Sequence, residues 1–294
     1  MKRNNRLFAV ISSIILGLYS LVLLSLLIWA FISSFKSDLD FTYHPIGLPG
    51  EKFGGWHFKN FLTAYETMTA TYIHQKTGNI VYVYAGKMLM NSLIYTIGCT
   101  IVSVFVTSLV AYCCSRFRYK ICEIIYYTVV VVITLPIVGA LPSEVQMSRN
   151  LGIYDTFFGM FFMKSYFANM NFLIFYAMFK NIPMTYSEAA KIDGAGQWTI
   201  FFKVILPMAK ATTLGVFLLL LIQFWNDYTV PMLYLPSHPV IAYGLYIFQN
   251  SRSEFATEPV KLAASFLVGL PVLILFIIFR DKLMSNISMG GLKG

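Results

Sequence analysis

The sequence predicts an all-α integral membrane protein with six transmembrane helices, and three observations carry that expectation. Only 12% of its 294 residues are charged, about half the share of a soluble domain. Apolar residues make up 57% of the chain and the mean hydropathy is +0.68. The apolar residues also fall in long blocks rather than alternating with polar ones, as spans of about 20 residues require.

The first block, residues 7–32, follows the basic segment MKRNNR. Its apolar run is too long for a secretory signal and it has no small-residue cleavage site, so it reads as a retained anchor. Residues 88–113 form the second block. The third, 121–141, is rich in Val and Ile and contains Pro136. A fourth, 156–179, is aromatic and carries Lys164 near its start. The fifth, 211–235, is interrupted by Asn226, Asp227 and Pro231. The sixth, 262–279, contains Gly269 and Pro271. This divides the chain into an anchor and long outer segment (1–87), a core transmembrane region that includes the loop 181–211 (88–284) and a short tail (285–294).

Six spans put both termini on one side, and the Lys and Arg distribution selects which. With the N-terminus inside, 13 of the 22 basic residues face the cytosol with only four acidic ones. The outer side then holds nine basic and eight acidic residues. The short inner segments are those on which the positive-inside rule acts. The sequence therefore places the protein in the cytoplasmic membrane with both termini cytosolic. The same distribution explains the net charge of +9 without a nucleic-acid partner.

Chemistry is sparse. Cys99, Cys113, Cys114 and Cys122 lie in or beside spans and offer no metal-ligand spacing. The four histidines are scattered, so no catalytic set and no metal site is expected. No phosphate-binding GxxxxGK[ST] loop occurs, and no cofactor is expected on this chain.

The informative segment is the inner loop 181–211, NIPMTYSEAAKIDGAGQWTIFFKVILPMAKA. Thr185 and Glu188 have the spacing of a capping box. Glu188, Ala189, Ala190, Lys191 and Ile192 continue a helix, and Asp193-Gly194 stops it. A second short helix is expected over 197–205, up to Leu206-Pro207. The small side chains of Ala189, Ala190, Gly194, Ala195 and Gly196 allow close approach by another protein. Tyr186, Phe201 and Phe202 offer larger anchors. The alternative is an amphipathic helix lying on its own bilayer.

These residues resemble a known family. Glu188-Ala189-Ala190, Asp193-Gly194-Ala195 and Ile205-Leu206-Pro207 resemble the EAA loop of bacterial ABC importer permeases. Asn91-Ser92-Leu93, Leu151-Gly152-Ile153, Trp225-Asn226-Asp227 and the terminal Gly290-Gly291-Leu292-Lys293-Gly294 are similar to its carbohydrate branch, the maltose permease G-like group. The resemblance runs from about residue 88 to the end; the first 87 residues match only in arrangement, and their outer segment 33–87 is longer than usual. It implies a type I importer permease fold for an oligosaccharide, with a second, unlike permease subunit and an extracellular sugar-binding protein. Two cytosolic ATPase subunits would carry ATP and Mg. It further implies that Glu188, Ala189, Ala190, Asp193, Gly194, Ala195, Leu206 and Pro207 couple the permease to one ATPase.

Polar groups inside spans are candidates for the substrate path. Asn91, Gln223, Asn226 and Asp227 qualify, the amides because they both donate to and accept from sugar hydroxyls. Helix packing is the competing role for Asn91 and the amides, and fixing the break before Pro231 is that for Asp227. Lys164 is expected to snorkel to the outer interface. An importer for a non-sugar solute would fit the same loop. A secondary transporter would need paired buried carboxylates or inverted repeats, and neither is present in the sequence.

Overall fold

The computed structural model describes residues 2–74, 77–135 and 139–289, with side chains placed between positions 8 and 280. Pro136 and the Gly290–Gly294 ending lie outside the described residues. The chain separates into two compact units.

The first unit comprises residues 1–70, 82–86 and 244–270. It contains α1 (Lys2–Ser33), α2 (Asp38–Tyr43) and α3 (Lys59–Thr67). The first half of the outer segment is a knot of backbone-directed hydrogen bonds. Asn60 Nδ2 donates to the carbonyls of Ser34 and Lys36, both at 2.8 Å. The buried Lys36 ammonium donates to the His44 carbonyl at 2.6 Å. Phe35 is ringed by Phe31, Trp56, Phe58 and Phe61. Trp29, one turn from the end of α1, donates Nε1 to the Pro45 carbonyl at 2.8 Å.

Strands β1 (Thr69–Ile73) and β2 (Ile80–Tyr84) form a two-stranded sheet in the outer segment. The sequence alone left this segment open.

The second unit is built on α4 (Ala85–Arg116), followed by α5 (Lys120–Thr134), α6 (Leu141–Asn150), α7 (Phe157–Met163) and α8 (Met170–Asn181). Then come α9 (Thr185–Ile192), α10 (Gln197–Thr199), α11 (Leu206–Met208), α12 (Lys210–Asn226) and α13 (Thr229–Tyr234). The chain closes with α14 (Ile241–Gln249) and α15 (Glu258–Met289), of which residues 244–270 count with the first unit and the remainder with this second one. In this unit α4 buries Ser92, Thr96, Cys99, Thr100, Ser103, Thr107 and Ala111. Small and hydroxyl side chains let neighbouring helices pack closely in a membrane, where there is no hydrophobic force between helices. Gly98 shows how closely: a Cβ there would sit 2.2 Å from the Phe161 ring.

Three stretches are long and apolar enough to cross a bilayer: Phe8–Ser33, Ala85–Arg116 and Glu258–Arg280. They match the first, second and sixth expected spans. The fifth appears as α12, bent by 82° from the helical segment Gln197–Met208 before it. Where the third was expected, α5 has 15 residues, about 22 Å of helix.

The fourth expected span is not continuous. It is split into α7 and α8, with Lys164 at the C-cap of the first half. Asn169 restarts the helix, its side-chain oxygen accepting from the amides of Asn171 and Phe172. A capping residue inside an apolar block is what interrupts the helix.

Candidate coupling loop and translocation residues

The inner loop begins with α9. Its N-cap residue is Met184, in a right-handed helical conformation, with no side-chain cap. The capping box expected from Thr185 and Glu188 therefore does not form. The chain enters the helical conformation at Met184, directly after Pro183, so Thr185 already lies inside the first turn. Glu188 is exposed.

The other end follows expectation. Gly194 has φ +79°. Its amide donates to the Lys191 carbonyl and that of Ala195 to the Ala190 carbonyl, at 3.0 and 2.9 Å. This pair of bonds is a Schellman closure, which needs a left-handed residue where glycine is strain-free. A Cβ on Gly194 would meet nothing within 4 Å, so within this chain its requirement is conformational.

After α10 the helix widens into a π-turn over Ile200–Ile205 and then runs into α11. Pro207 lacks an amide proton and its ring crowds the carbonyl four residues back; a π-turn is a known way to absorb such a disruption. This segment fastens the loop to the body. Phe201 is buried, with its ring 4.9 Å from Tyr112 and 6.4 Å from Phe179.

Phe201, expected as an outward anchor, is therefore an inward one. The outward apolar side chains are Tyr186, Ile192, Trp198 and Phe202, with Ile192 86% exposed. Sequence reading passed over Ile192 and Trp198. Their signal was available: large apolar residues flanking a turn of small ones, on a segment with nothing behind them to fill.

Four polar span residues separate into two pairs. Asn91 is buried and donates Nδ2 to the Pro239 carbonyl at 2.9 Å, and its neighbour Ser92 accepts from the Ile241 amide at 2.7 Å. Asp227 accepts from the Tyr95 hydroxyl at 2.9 Å and from the Val230 amide at 3.1 Å. Both residues thus hold the segment after α12 against α4. Gln223 and Asn226, by contrast, are exposed on α12 together with Leu219. Their spacing of four and three residues places all three on one helix face. Lys164 does not reach outward as expected: its ammonium lies 5.5 Å from the centre of the Phe224 ring, and its carbonyl accepts from Ser103. No group of three or more metal-ligating side chains occurs among the described residues.

A second knot joins the turn before α7 to the segment after α13. Asp155, the non-glycine residue with positive φ among the described ones, donates its amide to the Tyr234 carbonyl. Its Oδ1 accepts from the Ser237 amide at 3.0 Å and lies 3.5 Å from His238 Nδ1. Burial opposes ionisation of this carboxyl, but the adjacent His238 ring and the hydrogen bonding from Ser237 outweigh it and hold its pKa below the usual value.

Residues 106–288, which contain the inner loop and both helix breaks, match the family model described as binding-protein-dependent transport system inner membrane component. A permease protein of a diacetylchitobiose uptake system from Streptomyces coelicolor is 28% identical over 291 residues, covering 98% of this chain and 90% of that protein. A probable ABC transporter permease protein of Pyrococcus horikoshii is 30% identical over 205 residues, covering 68% and 73%. Among solved structures, a chain of a bacterial ABC transporter involved in the import of the acidic polysaccharide alginate shares the fold. Its TM-score is 0.76 at 24% identity, over 95% of this chain and 97% of that one. The chain belongs to the family of binding-protein-dependent transport system inner membrane components, and is the permease subunit of an ABC importer.

Proposed function

We propose that this permease forms half of an oligosaccharide path and is driven through α9 by an ATPase subunit. The observation that carries the reading is the presentation of α9. It is rigidly closed by its Schellman turn, fastened behind by Phe201, and offers Tyr186, Ile192 and Trp198 outward. Exposed apolar side chains beside a small-residue turn suit a partner's groove. The bilayer alternative is less favoured, because Glu188 and Asp193 share the exposed surface.

A second, unlike permease subunit, two ATPase subunits holding ATP and Mg, and an extracellular sugar-binding protein complete the proposed assembly. The substrate class rests on the diacetylchitobiose relative, which is alike over nearly the whole chain. Gln223 and Asn226 are the proposed path residues, since exposed amides on a spanning helix are costly against lipid and useful against sugar hydroxyls.

Reconstitution of the full complex in liposomes tests the reading. Binding protein loaded with N-acetylated or neutral oligosaccharides should stimulate ATP hydrolysis, and Gln223→Leu should lower the stimulation. Stimulation by non-sugar solutes alone would overturn the substrate class. The proposed orientation is tested separately by labelling intact cells. A cysteine at Ile46, which is 83% exposed, should react from outside, and one at Ile192 should not.

A further inference from the structure

Arg116 closes the last turn of α4 and is only 8% exposed. Its Nη1 donates to Met184 Sδ at 2.9 Å, while Nε and Nη2, both buried, have no acceptor among the described residues. A thioether is a weak acceptor, and unpaired charged donors are costly to bury. The same Met184 is the N-cap residue of α9, whose first-turn amides receive no side-chain cap. In that turn Ser187 is 5% exposed, and its Oγ also has no partner. A guanidinium therefore faces the positive end of a helix dipole, among groups that donate; the carboxylate of that turn, Glu188, is exposed to solvent.

We propose that Arg116, Ser187 and the first turn of α9 form a binding site for a phosphate group, carried by the headgroup of an anionic phospholipid. A phosphate would take Nε and Nη2 together in the bidentate geometry that suits arginine, and would place an anion at the helix N-terminus. A lipid is favoured over the free ion by the setting. The site lies at the end of a spanning helix, where Arg118, Tyr119 and Lys120 are exposed. Basic and aromatic residues together mark the level of the headgroups. Met184, 45% exposed and flexible, covers the guanidinium and admits the phosphate by turning aside. The lipid would thus brace the root of the coupling helix. The proposal relies on the transport reading only for the leaflet concerned.

Native mass spectrometry of the purified complex, titrated with phosphatidylglycerol, phosphatidylcholine or inorganic phosphate, tests this without measuring transport. Wild type should retain phosphatidylglycerol in preference to phosphatidylcholine. Arg116→Gln should weaken that retention at least about tenfold, as loss of a charge-assisted pair implies. Arg116→Lys should retain less than wild type and more than Arg116→Gln. Competition by inorganic phosphate would show that the phosphate, not the acyl chains, is recognised; binding of inorganic phosphate without phosphatidylglycerol would overturn the lipid source. Equal phosphatidylglycerol retention by wild type and Arg116→Gln would overturn the site. If Arg116→Gln does not assemble, Ser187→Ala decides the question, since its hydroxyl has no partner to lose. Weaker retention there supports the site and unchanged retention overturns it. A complex that retains the lipid but transports no sugar would overturn the proposed function and leave this site standing.

Discussion

The Tyr95 hydroxyl donates to Asp227 Oδ2 at 2.9 Å, joining residues 132 positions apart in sequence. The contact fixes the point at which α12 ends and the chain turns into α13. The other Asp227 oxygen accepts from Val230 in the first turn of α13, so one carboxylate serves both the tie to α4 and the restart of the helix.

Tyr95→Phe should therefore lower the stability of the complex by about 1.5–3 kcal/mol, the range for a hydrogen bond to a charged group, while leaving sugar preference unchanged. Thermal unfolding in detergent and a sugar panel for stimulated ATP hydrolysis read the two effects separately.

Asp155 gives a pH dependence with a definite sign. Its folded pKa is held below the ordinary carboxylate value near 4. The stabilisation is present above that ordinary value and is lost as pH falls through the lower, folded one. Acid unfolding of wild type should show this loss below about pH 4, and Asp155→Asn should flatten the acid limb. An unchanged acid limb in the variant would place the sensitivity elsewhere.

Gly159 leaves no room for a side chain, since a Cβ would lie 2.0 Å from the Ile153 carbonyl oxygen. Gly159→Ala must shift backbone and should cost about 1–3 kcal/mol or more. Gly98→Ala meets the edge of a phenylalanine ring instead, and its cost should fall when Phe161→Leu is added. The yield and melting temperature of the purified complex measure both.

Glu188 and Gly194 separate partner contact from local structure. Because Glu188 makes no cap in α9, Glu188→Ala should change stability by less than about 0.5 kcal/mol. Any loss of sugar-stimulated hydrolysis then reports contact with the ATPase. Gly194→Val forces a β-branched residue to a positive φ at a cost of about 1–2 kcal/mol, whereas Gly194→Asn should be tolerated. Membrane insertion should be normal in all three, as judged by protease protection.

The long apolar helices were legible in the sequence because twenty consecutive apolar residues have few other uses. So was the Asp193-Gly194 turn, since its requirement is local. The break at Asn226–Thr229 was legible in Asn226, Asp227 and Pro231, whereas that at Lys164–Asn169 was harder to read. The segment 164–169 holds Lys164, Ser165 and Asn169 inside an otherwise apolar block, but the interruption depends on Asn169 accepting two amides. The packing role of Asn91 and the break-fixing role of Asp227 were among the readings the sequence offered, but their partners were hidden, because Pro239 and Tyr95 lie 148 and 132 residues away. The inward turn of Phe201 had the same cause: only Tyr112 and Phe179, on other helices, decide which face of the loop is covered.

The seating of α9 on an ATPase subunit is tested most directly by co-purification. Tagged permease carrying Ile192→Lys or Trp198→Ala should be compared with wild type for recovery of the ATPase subunits and of the companion permease. ATPase recovery should fall at least about tenfold in Ile192→Lys, the scale of one lost buried apolar anchor, while the companion permease is retained. Full recovery of the ATPase subunits by both variants, with normal sugar-stimulated hydrolysis, would contradict that seating.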